Sequence, residues 1–289
     1  MQRLAYLFLR LIAELFRFVP FRLLYLLSDG FAFFLCRIVG YRTQVMRGNL
    51  QRAFPKKNAA EIERILRDSY RNLTDVTLET IKSFTTPVEE IARRCVVRNP
   101  EVVNQFLDQG RPVILAGSHY HNWEWTGLSM PPVLHGTVVT AFKPLSNRPL
   151  DRYYNRCRMR AGMQMVSMDE TYAAMRKYQR EQAVFILLGD QSPSSRKSAH
   201  WIPFLGVETA FLPGTDFLAR RFGFPVVYYH IERYRRGFYA VHYLPVWPDP
   251  ATAAEQDITK ACARMLEDAI RQAPAGWLWS HKRWKMNKN

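Results

Sequence analysis

The stretch Gly117–Trp125, G-S-H-Y-H-N-W-E-W, places two histidines, a carboxylate and two tryptophans directly after the apolar run P-V-I-L-A. Histidine is the side chain whose ordinary acid constant suits proton transfer near neutral pH. A carboxylate that accepts one ring N–H fixes the tautomer and leaves the other nitrogen as a base. His119 and Glu124 are five positions apart, and a continuous helix would turn them about 140° away from each other. The geometry changes if His119 lies in a loop and Asn122 caps the helix that follows. Glu124 then falls in the first turn and can fold back toward the imidazole. Such a pair is general-base equipment, able to take a proton from a hydroxyl or amine as it attacks a carbonyl. A buried, hydrogen-bonded histidine is the competing reading of His119, and His121, by alternation, reads as structural. H-E-x-x-H is absent, so no metal is expected. No G-x-S-x-G elbow or other plain nucleophile motif accompanies the pair, which favours direct transfer over a covalent enzyme intermediate. No cofactor is expected.

The elements that must hold these residues form an alternating series. Pro112–Gly117 reads as a buried strand with a helix from Asn122 onward, Thr137–Phe142 as a strand, and Arg148–Ala161 as a helix. A helix over Glu170–Gln179 precedes the strand Ala183–Leu188. A helix near Thr215–Arg221 leads to the strand Pro225–Ile231, with Phe238–Leu244 pairing beside it. Before them, helical spacing of Ile62, Ile65, Leu66, Leu73 and Val76 predicts a helix over Ala59–Lys82. The pattern predicts an α/β fold, a central and mostly parallel sheet with helices on both faces. Ligands on such sheets gather at the carboxyl ends of strands, which is where His119 stands.

The first segment carries Arg3, Arg10 and Arg17 seven apart, a single stripe on a helix otherwise rich in Leu, Phe and Ile. A second apolar segment, Phe21–Val39, is interrupted by Arg22, Asp29 and Arg37. Neither supplies the roughly 18 uncharged residues of a confident spanning helix. Two amphipathic helices lying in a membrane interface fit best; helices packed on the protein's own core, or one tilted span over Phe21–Val39, are the alternatives. The chain is therefore divided into membrane-associating helices over 1–55 and an α/β domain over 56–289. No cleavable signal peptide is evident.

With 289 residues, 48% apolar and 23% charged, the chain is neither disordered nor a polytopic membrane protein. Its formal charge of +16 favours an anionic partner, whether bilayer, acidic protein or nucleic acid. No finger, RNP or basic-zipper pattern supports nucleic acid, and the expectation is that none is bound. Seven Lys/Arg against two Asp/Glu in residues 1–50 suit an anionic cytoplasmic leaflet, and the tail K-R-W-K-M-N-K-N adds to that field. Cys36, Cys95, Cys157 and Cys262 lie far apart with no C-x-x-C pair, which argues against a zinc site and a disulfide framework.

G-S-H-Y-H-N-W-E-W resembles the H-x4-D/E block of the glycerolipid acyltransferase superfamily. Within it the chain is similar to the lipid A secondary acyltransferases, the lauroyl/myristoyl transferases of Gram-negative bacteria. The likeness runs through R-T-Q-V-M-R-G-N-L-Q-R-A-F-P (Arg42–Pro55), F-K-P-L-S-N-R-P-L-D (Phe142–Asp151) and R-M-R-A-G (Arg158–Gly162). It continues through L-L-G-D-Q (Leu187–Gln191) and P-F-L-G (Pro203–Gly206) to W-L-W-S-H-K-R-W-K (Trp277–Lys285). H-x4-E alone is weak, whereas six blocks in order are strong. Phe142 and Lys143 depart from the family's frequent Tyr and Arg, and Glu124 stands where the wider superfamily has Asp. The F-P-E-G-T phosphate block of the glycerol-phosphate and lysophosphatidate enzymes is missing, which lowers those substrates.

The resemblance implies that His119 takes the proton from a hydroxyl of a lipid A precursor, and that Glu124 orients His119. The oxygen then attacks an acyl thioester carried by acyl carrier protein or coenzyme A, at the cytoplasmic face of the inner membrane. An aminolipid or other lysolipid is the alternative acceptor. Arg158 is implied as the donor to the developing oxyanion, or as a grip on an acceptor phosphate, with a surface salt bridge as the plain alternative. Asp190 and Gln191 are implied to line the cleft or cap its loop. Lys143 and Asn147 are implied to bind phosphate or shape their turn, and Trp277, Trp279 and Trp284 to pack core or form an interfacial belt.

Overall fold

The structure, a computed structural model, describes residues 2–286. Met1 and Asn287–Asn289, the end of the basic tail, lie outside the described residues. The elements run α1 Gln2–Phe18, α2 Phe21–Phe33 (continued by a π-helical turn, Phe34–Val39), α3 Thr43–Ala53, α4 Ala59–Ser83, α5 Val88–Arg94, β1 Cys95–Val97 and α6 Glu101–Leu107. Then come β2 Val113–Gly117, α7 Trp123–Ser129, β3 Thr137–Phe142, α8 Arg148–Met159, β4 Gln164–Ser167, α9 Thr171–Lys177 and β5 Ala183–Leu188. The chain continues with β6 His200–Phe204, β7 Val207–Phe211, α10 Gly214–Phe222, β8 Val226–Arg235, β9 Phe238–Trp247 and α11 Asp257–Gln272.

Seven strands form one sheet in the order β1-β9-β8-β2-β5-β3-β4, and β6 and β7 pair separately as a hairpin. Within the large sheet only β8 and β9 run antiparallel; the other pairs are parallel. β2 (V-I-L-A-G) is buried at every position and β5 at all but its last, because β-branched and leucyl side chains on both faces need cover on both faces. Parallel pairing sets Gly117 opposite Leu188. The loops that leave β2 and β5 therefore emerge side by side at one sheet edge. Gly117 has to be glycine: a Cβ there would lie 2.0 Å from the Tyr229 ring.

α4 is the long internal prop. Asn58 caps it by accepting from the Glu61 N–H at 3.0 Å while Glu61 accepts from the Asn58 N–H at 2.9 Å. Leu24, Ser28 and Ala32 of α2 are buried on one stripe, and Ser28 donates to Asp75 of α4 at 2.6 Å. Lys82 of α4 donates to the Phe16 and Val19 carbonyls at 2.8 and 2.7 Å, a cation on the unsatisfied end of α1. On α1 only Ala13 is buried. Leu4, Leu7, Phe8, Leu11 and Leu15 of α1 and Leu23, Leu26, Phe31 and Phe33 of α2 are exposed. No single described helix is long and apolar enough to cross a membrane; the pair Phe21–Val39 and Thr43–Ala53, bent by 97°, reaches that length and composition together.

Candidate active site

β2 delivers His119 two residues beyond its end, and β5 delivers Asp190 two residues beyond its own. The pairing of the two strands brings them together. His119 Nδ1 stands 2.7 Å from Asp190 Oδ1, and the His119 backbone N–H donates to Oδ2 at 3.1 Å. Trp277 donates its indole N–H to the same Oδ2 at 3.0 Å. With Asp190 accepting at Nδ1, the neutral ring carries its proton there and presents a lone pair at Nε2. Gln191 Nε2 lies 3.3 Å from that atom. Burial drives the imidazole toward neutrality, but the charge and hydrogen bond of Asp190 outweigh it and raise its pKa above 6.5. Asp190 moves the other way: burial pushes its carboxyl up, and His119 brings it below 3.8.

Glu124 does fall in the first turn of α7, capped as expected by Asn122, whose Oδ1 accepts from the Trp125 N–H at 2.9 Å. It does not bond the His119 ring. Arg158 of α8 grips it with two nitrogens, Nη2 to Oε1 at 2.7 Å and Nε to Oε2 at 3.1 Å. The expectation that Glu124 orients the imidazole is thus corrected to Asp190. The physical reason is strand register, which brings Asp190 to the ring while α8 supplies a guanidinium for Glu124. Arg158 is no surface salt bridge, being 24% exposed with its partner 11% exposed. Its guanidinium also lies 4.4 Å from the centre of the Tyr154 ring.

His119, Glu124, Arg158, Lys143 and Gln191 all border one cavity of about 700 Å³. Most of the remaining wall is apolar, with Met130, Met163, Ile186, Leu188 and Leu218, and it also carries Thr140, Asp151 and Asn155. Its size is that of pockets that enclose an organic ligand, and its chemistry suits an alkyl chain. Trp123 sets its edge against the His119 ring at 5.1 Å.

Other expected positions fall elsewhere. Asn147 caps α8 by accepting from the Leu150 N–H at 3.2 Å, so it shapes its turn and does not border the cavity. Asp190, 4% exposed, sits behind the imidazole and not on the cavity wall. His121 borders a second cavity of about 880 Å³ with Arg233 and His230, and burial holds it neutral with a pKa of about 3. Trp277, Trp279 and Trp284 are buried, as core packing requires. Among the described residues, no group of His, Cys, Asp and Glu could hold a metal ion.

A carboxylate-backed imidazole that a mostly parallel α/β sheet sets on the wall of a largely apolar cavity can take a proton from a nucleophile beside an apolar chain. Residues 2–286 match the model of the bacterial lipid A biosynthesis acyltransferases, and the chain belongs to that family; it is an acyltransferase of lipid A biosynthesis. It is 25% identical over 248 residues to the lipid A biosynthesis palmitoleoyltransferase of Escherichia coli K12, covering 84% of this chain and 79% of that protein. It is 23% identical over 270 residues to the lipid A biosynthesis lauroyltransferase of the same organism, covering 92% and 87%.

Proposed function

We propose that the protein moves a fatty acyl chain from an acyl thioester to a hydroxyl of a lipid A precursor at the cytoplasmic face of the inner membrane. The observation that carries the reading is His119, backed by Asp190 at Nδ1, on the wall of the largely apolar cavity. Nε2 takes the proton of the acceptor hydroxyl as its oxygen attacks the thioester carbonyl. Asp190 holds the ring and stabilises the imidazolium. The tetrahedral intermediate collapses, the C–S bond breaks, and the thiolate leaves with the proton returned from Nε2. An ester and a free thiol result.

Arg158 supplies fixed positive charge where the carbonyl oxygen becomes anionic, and Glu124 pins the guanidinium in place. Preorganised donors of this kind contribute about 10² or more in rate. Lys143 and Gln191, on the same wall, contact the acceptor or the thioester. The exposed leucines and phenylalanines of α1 and α2 lie in the bilayer interface, with Arg3, Arg10 and Arg17 reaching headgroups. The donor's carrier is the acidic acyl carrier protein, attracted by the charge of +16; acyl coenzyme A is the anionic alternative.

The test is transfer of labelled acyl chains, from carrier protein and separately from coenzyme A, to a purified lipid A precursor. Acylation of a hydroxyl on the precursor from the carrier protein is the expected result. Transfer only to an aminolipid or another lysolipid would replace the assigned acceptor.

A further inference from the structure

Glu79 is a carboxylate on α4 with no contact to the apolar cavity and no exposure to solvent. It is the point where four elements meet. Its Oε1 accepts from the Tyr25 hydroxyl of α2 at 2.7 Å, and its Oε2 accepts from Asn122 Nδ2 at 2.7 Å and from the Tyr239 hydroxyl of β9 at 2.8 Å. Its carbonyl oxygen accepts from the Trp125 indole of α7 at 3.1 Å.

The bond to Asn122 has a directional consequence. An amide donates from one end and accepts at the other. In its ionised form Glu79 accepts only, so it turns Asn122 Nδ2 toward itself and Oδ1 toward the first turn of α7. That oxygen is the cap on the Trp125 N–H. The turn it starts carries Trp123, against the His119 ring, and Glu124, which holds Arg158. On the other side, Tyr25 belongs to a helix whose Leu23, Leu26, Leu27 and Phe31 are exposed. A second contact follows the same path: the Phe21 ring of α2 meets Trp125 edge-on at 5.8 Å.

We propose that Glu79 is a positioning residue that makes the geometry of the His119–Glu124 loop depend on the seating of α2, so that transfer is fastest when α2 lies on a bilayer. The proposal rests on the reading of α2 as a membrane-interface helix. Two mild substitutions test it. Tyr25→Phe removes one hydroxyl on the α2 side; Asn122→Ser keeps a capping oxygen but loses the amide donor to Glu79. Each is expected to lower kcat on vesicles by about tenfold, the cost of a lost bond to a charged group, with KM for the acceptor within about twofold. Because both act through one carboxylate, the double variant should be no slower than the slower single one. Hydrogen exchange gives a readout independent of activity: anionic vesicles should slow exchange of the amides of 118–126 in the parent and fail to do so in Tyr25→Phe.

Rates that multiply in the double variant, or vesicle protection undiminished in Tyr25→Phe, would overturn the proposal and leave the membrane reading standing. A parent that does not bind vesicles would remove that reading, and the proposal with it.

Discussion

In the proposed mechanism, the residue that decides the chemistry is Asp190, which backs His119. Because Asp190 holds the imidazole pKa above its ordinary value, Asp190→Asn should move the acid limb of kcat/KM to lower pH. The sign follows from removing the negative charge: the protonated ring loses its partner while burial continues to favour the neutral one. The same variant should lower kcat/KM by about 10³ or more, since the ring is no longer held in the tautomer that exposes Nε2. Arg158→Lys keeps the charge and loses the two-nitrogen grip on Glu124, and kcat should fall by about 10² with acceptor affinity nearly unchanged. Both are read from steady-state rates across pH. The local geometry was legible: the H-x4-E spacing read Asn122 as a cap and Glu124 in the first turn, where they stand. The partnership was not. Asp190 lies 71 residues from His119 in sequence, and only the register of β2 on β5 joins them. Spacing along one strand's loop pointed to the nearer carboxylate.

At the scale of elements, α4 meets both the exposed helix α2 and the His119–Glu124 loop at Glu79. Burial raises the Glu79 pKa from 4.5 to about 7. The folded protein therefore binds this proton more tightly than the unfolded chain does, and the Glu79 contribution weakens as pH rises from about 4.5 to about 7. Glu79→Gln should remove that component: the difference in thermal midpoint between parent and variant should change across this window and level off outside it. Differential scanning calorimetry at several pH values checks it. The sequence could not flag Glu79. Along a helix whose apolar positions fix its inner face, an acidic residue reads as solvated, and only the approach of α2, β9 and the Asn122 loop buries it. The strands β2 and β5 were legible at nearly full length because they are continuous apolar runs, and β3 because its first four residues are β-branched. β4 has only four residues, and β6 carries Pro203 inside its pairing with β7. Neither offers a period long enough to recognise.

At the scale of the whole molecule, two features work together: a charge of +16 and apolar side chains left uncovered on α1 and α2. Phe8 and Leu15, 66% and 58% exposed, lie seven apart on α1. Replacing both by Asp should weaken partition to anionic vesicles by at least tenfold, because burial of each such side chain contributes about 1.5–3 kcal/mol. The far-ultraviolet dichroism should stay unchanged, since neither side chain packs in the core. Raising salt from about 0.05 to 0.5 M should weaken binding of the parent through its charge while leaving the apolar contribution in place. Vesicle flotation measures both.

The most direct measurement is the rate of acyl transfer to a lipid A precursor by His119→Ala, compared at equal folded concentration with the parent. Loss of about 10³ or more, with vesicle binding and thermal midpoint retained, is the predicted result. A variant that transfers at close to the parental rate would contradict the assignment of Nε2 as the base.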